Sequence, residues 1–138
     1  MTSYYKNKSE LYLDAADALM KAQNGHYAVV PHSAYYSCLL LIEHKCYIEN
    51  KKTEDDIRPE VNGRRSALHE ALISYIKCKM SKSTKQYAYR NMKDFTSKIT
   101  VLKKLHVKAD YKNENVSFDD SQKSLELAND ILDILKKI

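Results

Sequence analysis

Two glycines and two prolines are the only strong backbone breakers in these 138 residues. An all-β chain of this length needs many tight turns, and turns draw on those two residue types. Long helices joined by few connections are therefore expected. Hydrophobic residues make up 43% of the chain and charged residues 30%. A chain of this size buries roughly two-thirds of its unfolded surface, so one core, without disulfides or metal, suffices for a single domain spanning 1–138.

Hydrophobic spacing divides the chain into five helices. The first spans roughly Ser3 to Asn24, where Leu11, Ala15, Ala18 and Ala22 recur at helical intervals and Asn24-Gly25 supplies a stop. The second spans roughly Tyr27 to Asn50, with Pro31 in its first turns. Its segment Ala34-Tyr35-Tyr36-Ser37-Cys38-Leu39-Leu40-Leu41-Ile42 is apolar almost all round, as befits a helix central to a bundle or shared with another subunit. Residues 51–63, with Pro59 and Asn62-Gly63, form the longest loop. A third helix runs from about Arg64 to Lys79, turning Leu68, Leu72, Tyr75 and Ile76 inward. Ser81-Lys82-Ser83-Thr84 then offers caps for a fourth, which extends to about Ala109 on the stripe Met92, Phe95, Ile99, Leu102, Leu105. The fifth starts near Asp119, whose charge and that of Asp120 suit a positive helix N-terminus, and carries Leu125, Ala128, Leu132 and Leu135. Short connections favour an up-down antiparallel bundle, so the predicted class is all-α.

Charge is unevenly distributed. The net value is +5, but residues 1–57 carry −2, residues 58–112 carry +10 and residues 113–138 carry −3. A local field of that sign attracts polyanions such as RNA or DNA phosphate, although lysine-rich helices also serve solubility. Tyr87 and Tyr89 stand beside Lys85, Arg90 and Lys93, a setting in which bases could stack. Cys38, Cys46 and Cys78 are odd in number and lack CxxC spacing; Cys38 and Cys46, eight apart in an apolar helical stretch, are expected to be buried thiols packing as small hydrophobes. The polar N-terminus shows no secretory leader pattern. The longest apolar run, Ser37 to Ile42, is far too short to cross a membrane, which points to the cytoplasm. His32 and His44 lie about 18 Å apart on one helix, too far to chelate one ion. No metal site is expected, nor any cofactor, since Gly-rich phosphate loops and nucleophile elbows are missing.

Three local motifs together resemble the HEPN superfamily, in particular its small stand-alone bacterial and archaeal members. They are Gly25-His26-Tyr27-Ala28 followed by Ala34-Tyr35-Tyr36-Ser37; then Ser66-Ala67-Leu68-His69-Glu70; and finally Leu105-His106-Val107-Lys108-Ala109-Asp110-Tyr111 with Phe118-Asp119-Asp120 beyond a polar turn. The resemblance covers nearly the whole chain. It implies a homodimer that is either a metal-independent ribonuclease or a non-catalytic partner of a small nucleotidyltransferase, in toxin–antitoxin or phage-defence systems.

The catalytic branch of that family pairs Arg with a His, four to six residues lying between them. His acts as general acid and base, and Arg stabilises charge on the phosphorane-like transition state. Arg64 and His69 match this spacing and are the candidate catalytic pair. They lie about 140° apart around an ideal helix, whereas Arg65 and His69 share a face. Arg65, Lys85, Arg90 and Lys93 are the candidate RNA-binding residues. A second start, Arg90-Asn91, finds Phe95, Thr96 and Ser97 where the His should fall. Two positions often basic in the family are here Ser33 and His106. At the end of its helix, His106 is expected to interact with nearby carbonyls.

Overall fold

The computed structural model describes residues 3–22, 26–57 and 65–138, except for the side chains of Arg65 and Ser66. Helix α1 (Tyr4–Lys21) is followed by a 3₁₀ turn (His26–Val29) and α2 (Val30–Glu43), which runs on into a π-helical turn (His44–Glu49). After the four-residue α3 (Glu54–Ile57) come α4 (Arg65–Ser81), α5 (Ala88–Tyr111) and α6 (Phe118–Lys136). No strand occurs among the described residues, and no helix there is long and apolar enough to cross a membrane. The all-α class is as predicted. Asn24 and Gly25, the expected stop of the first helix, lie outside the described residues, as do Pro59 and Asn62-Gly63.

Local chemistry sets the helix ends. Ser3 caps α1 by accepting the Lys6 N–H at 3.3 Å. Pro31 falls in the first turn of α2, where its missing N–H removes no helical bond. Ser117 and Asp120 form a reciprocal capping box at α6. The start of α5 departs from the sequence expectation. Its N-cap is Tyr87, in the left-handed region at φ 66° and without a side-chain cap. Ser81 and Ser83 instead use their hydroxyls locally, Ser81 donating to the Cys78 carbonyl and Ser83 accepting the Lys85 N–H. Such bonds stabilise a turn in competition with a helix, which delays α5 to Ala88.

Pairwise contacts fix the helix directions. Ser9 and Ser37 each donate a hydroxyl to the other's carbonyl, at 2.6 and 2.8 Å, and Ser3 meets His44, so α1 runs antiparallel to α2. His69 lies near Tyr35, and Lys79 donates to Asn50 at 2.6 Å, so α4 runs parallel to α2. Lys103 reaches Glu70, Lys98 reaches Asp130 and Lys108 reaches Asp120, so α5 runs antiparallel to both α4 and α6. The bundle is therefore up-down except that α2 and α4 run parallel.

The core gathers Tyr35, Leu39, Ile42, Leu72, Ile76, Phe95, Ile99, Leu102, Ile131 and Leu135. Helix α2 lies at its centre, buried against α1, α4, α5 and α6, as its all-round apolar character requires. Cys38 and Cys46 are buried and Cys78 is exposed. The predicted inner stripe of α1 needs correction. Leu11 is 65% exposed, Ala15 and Ala18 are also exposed, and Ser9 and Ala16 are the buried residues. Small residues do bring α1 close to α2, but the Ser9–Ser37 exchange rotates a different row inward.

Candidate functional site

At one end of the bundle, the first turns of α2 and α4 meet the last turns of α5. Helix α2 contributes His32, Tyr35 and Tyr36, spaced three and four residues apart and so on one face. Helix α5 contributes His106 and Asp110 at the same four-residue interval, and α4 brings His69. Asp110 Oδ2 lies 2.6 Å from His32 Nδ1 and 2.7 Å from His106 Nδ1, so one carboxylate oxygen spans two imidazoles. The Tyr35 ring stacks on His106 at 4.3 Å and 5°. Tyr36 stands edge-on to His106 and lies 4.7 Å from His32. His69 is 6.1 Å from both tyrosine rings, and Tyr111 stands edge-on to His106 at 5.7 Å.

Access to this cluster is one-sided. Tyr35, His69 and His106 are buried, whereas the His32 side chain is 39% exposed and that of Asp110 20%. Burial pushes the His106 imidazole below its ordinary value, outweighing the upward pull of Asp110, and His32 and Lys103 add to the fall. Burial likewise pushes the Tyr35 phenol far up, with smaller contributions from Tyr36, Cys38, Glu70 and Tyr111. Tyr35 is therefore a neutral hydroxyl, and none of the described residues accepts or donates a hydrogen bond to it.

A groove of about 800 Å³ runs between α4 and α5, close to the cluster. Lys77 enters it from α4, and Lys103, Lys104 and Lys108 from α5, with Lys112 just beyond. Lys103 is paired with Glu70 and Lys108 with Asp120. Among the described residues, no carboxylate lies within ion-pair distance of Lys77, Lys104 or Lys112. Lysines from two helices thus line one groove, together with Glu70 and Glu114.

The residues singled out from sequence are dispersed. Arg64 lies outside the described residues, and Arg65 is described only as the first backbone position of α4, so their relation to His69 is open. His69 joins the aromatic cluster. Lys85 and Arg90 line a larger cleft of about 1080 Å³ at the other end of α5, together with Tyr87, Asp94, Asp130 and Asp133. Arg90 and His106 are sixteen residues apart on one helix, or about 24 Å. Lys93 sits over the Tyr89 ring, 4.9 Å from its centroid. His106 is 4% exposed and engages Asp110 and Tyr35, which replaces the helix-end role expected for it. His44 lies at the far end, between Ser3 and Glu49.

Sequence reasoning missed the joining of His32, His106 and Asp110, although His106 and Asp110 share a helix face by their spacing. Comparison with profiles of known families, with curated proteins and with solved structures finds no match to this chain, so its residues alone carry the functional argument.

Proposed function

We propose that this chain is a HEPN-type, homodimeric RNA-binding protein that cleaves RNA without a metal, in a toxin–antitoxin or defence setting. The observation that carries the proposal is the bridging of two imidazoles by Asp110 beside a groove lined with lysines from α4 and α5. The groove lysines hold the phosphate backbone, a contact that needs no particular sequence. His32, the accessible imidazole, takes the proton of a ribose 2′-hydroxyl while Asp110 orients it. The 2′-oxygen bonds to the neighbouring phosphorus, the bond to the 5′-oxygen breaks, and a second imidazole returns a proton to that oxygen. The family resemblance implies His69 for this last role, with Arg64 offsetting charge on the phosphorane; His69 is buried, so this role requires the cluster to open on binding RNA.

The test is cleavage of single-stranded RNA by the full chain in the presence of a chelator. His32→Ala and His69→Ala should each slow cleavage by about 10²–10⁴-fold, the range of general acid–base catalysis. Undiminished cleavage in both variants refutes the assignment. Salt-sensitive RNA binding without cleavage favours the second reading, a non-catalytic module that pairs with a nucleotidyltransferase. The family's basic positions occupied here by Ser33 and His106 support that alternative.

A further inference from the structure

We infer that His32, His106 and Asp110 form a zinc-binding site with one position open to solvent. Their three ligand atoms lie within 4.8 Å of one another, and they come from two helices held in fixed register. Two imidazole nitrogens and one carboxylate oxygen are donors that zinc accepts, and three protein ligands plus a free position is the arrangement of reactive zinc sites. Magnesium and calcium want mostly oxygen ligands and monovalent copper wants sulfur, so this donor set selects against them.

The site must adjust to accept the ion, the histidine nitrogens, now within 4.8 Å of each other, settling at the same tetrahedral spacing as the oxygen. Zinc–nitrogen and zinc–oxygen bonds of about 2.0–2.2 Å in a tetrahedron place ligand atoms about 3.3 Å apart. The two Nδ1–Oδ2 separations are 2.6 and 2.7 Å, so each opens by about 0.7 Å. Zinc binds each neutral imidazole at Nδ1, and the ring's single proton then sits on Nε2. No net proton is lost from the neutral rings. His32, two-fifths exposed, supplies the movement, while the stacked Tyr35 ring holds His106 in place. Tyr35, Tyr36 and Tyr111 crowd His106, so the open position faces outward past His32. That crowding suits four-coordinate zinc better than a six-coordinate ion with three open positions.

Zinc on His32 Nδ1 would leave the ring's proton on Nε2 and displace the orienting Asp110 contact of the RNA-cleavage proposal, so the loaded protein should be inactive as a nuclease. Binding is read without RNA, and the two proposals therefore fail separately. Metal-stripped full chain is titrated with Zn²⁺ by calorimetry, and with Co²⁺ for its visible spectrum. One equivalent should bind, with the intense absorption of four-coordinate cobalt. His32→Ala and Asp110→Asn, both partly exposed positions, should each weaken binding by about 10–100-fold or more, and His44→Ala should leave it unchanged. Imidazole nitrogen resonances in the unmutated chain give a readout that requires no variant. Those of His32 and His106 should move on adding zinc, while those of His26 and His44 stay. The inference is overturned if no saturable equivalent binds, if both ligand variants bind as tightly as the parent, or if other histidines respond.

Discussion

Removing one oxygen from the centre of the site should strengthen the fold. Tyr35 is wholly buried, and its hydroxyl has no hydrogen-bond partner among the described residues. Such a group forfeits its hydration for nothing, at a cost of about 1–3 kcal/mol. Tyr35→Phe keeps the ring, its burial and its stack on His106, and deletes only the unpaired oxygen. A gain of about 1 kcal/mol is expected, because the small gap left by the oxygen offsets part of the relief. In a chain of this length that raises Tm by about 3–5 °C. Tyr35→Ala should instead lose about 3–5 kcal/mol, since it leaves a ring-sized cavity, and it also forfeits the stacking. Urea unfolding followed by far-UV circular dichroism checks both. With m near 2 kcal/mol/M, the Phe variant's midpoint should rise by about 0.5 M at unchanged slope. A Phe variant less stable than the parent by about 1 kcal/mol would refute the reasoning, because the hydroxyl would then be hydrogen-bonded in the folded protein.

Other perturbations follow from the same geometry. Ser117→Ala removes half of the capping box of α6 and should cost about 1 kcal/mol in urea unfolding. The Lys108 ammonium hydrogen-bonded to Asp120, aided by Ser117, holds the Asp120 carboxyl below the usual carboxylate range. The resulting stability is present above the unfolded value of about 3.9 and is lost as pH falls through the folded value. The Tm difference between the parent and Asp120→Asn should therefore shrink as pH drops below about 4. A thiol reagent should label Cys78 in the native protein, and Cys38 and Cys46 only on unfolding, as burial pushes the Cys46 thiol up to about 12. Lys104→Glu combined with Lys112→Glu should weaken RNA binding and flatten its salt dependence, by about 0.7 in logarithmic slope for each phosphate no longer neutralised. Lys85→Glu with Arg90→Glu, in the distant cleft, should do less.

The long helices were legible because their periodicity is written in neighbouring residues. Phe95, Ile99 and Leu102 announce the buried face of α5, and Leu125, Ala128, Leu132 and Leu135 that of α6. In α1 the same logic chose the wrong face, since a weakly apolar helix offers more than one stripe and Ser37 on another helix decides between them. The four-residue α3 is too short to leave a period. The left-handed Tyr87 gave no glycine signal to mark where α5 begins. The site was hidden for a related reason. His32 and Asp110 are 78 residues apart, and nothing local records that the parallel return of α4 and the antiparallel α5 bring these helix ends together. The family comparison singled out His106, but its spacing gave no sign that His32 would join it at Asp110.

The central position of α2 also bears on how the chain comes to be folded. Its partners lie at both extremes of the sequence: Ser37 bonds Ser9, whereas the Cys38 thiol meets the Ala128 carbonyl ninety residues later. A nascent α1–α2 hairpin can form early because its contacts are short-range. It must then hold an uncovered apolar flank until the last helix leaves the ribosome. Helix α6, which covers that flank, is expected to close the fold, and the interval before it docks should be when the chain is most exposed to aggregation. Slowing synthesis across α5 should lengthen that interval and increase the chain's need for chaperones.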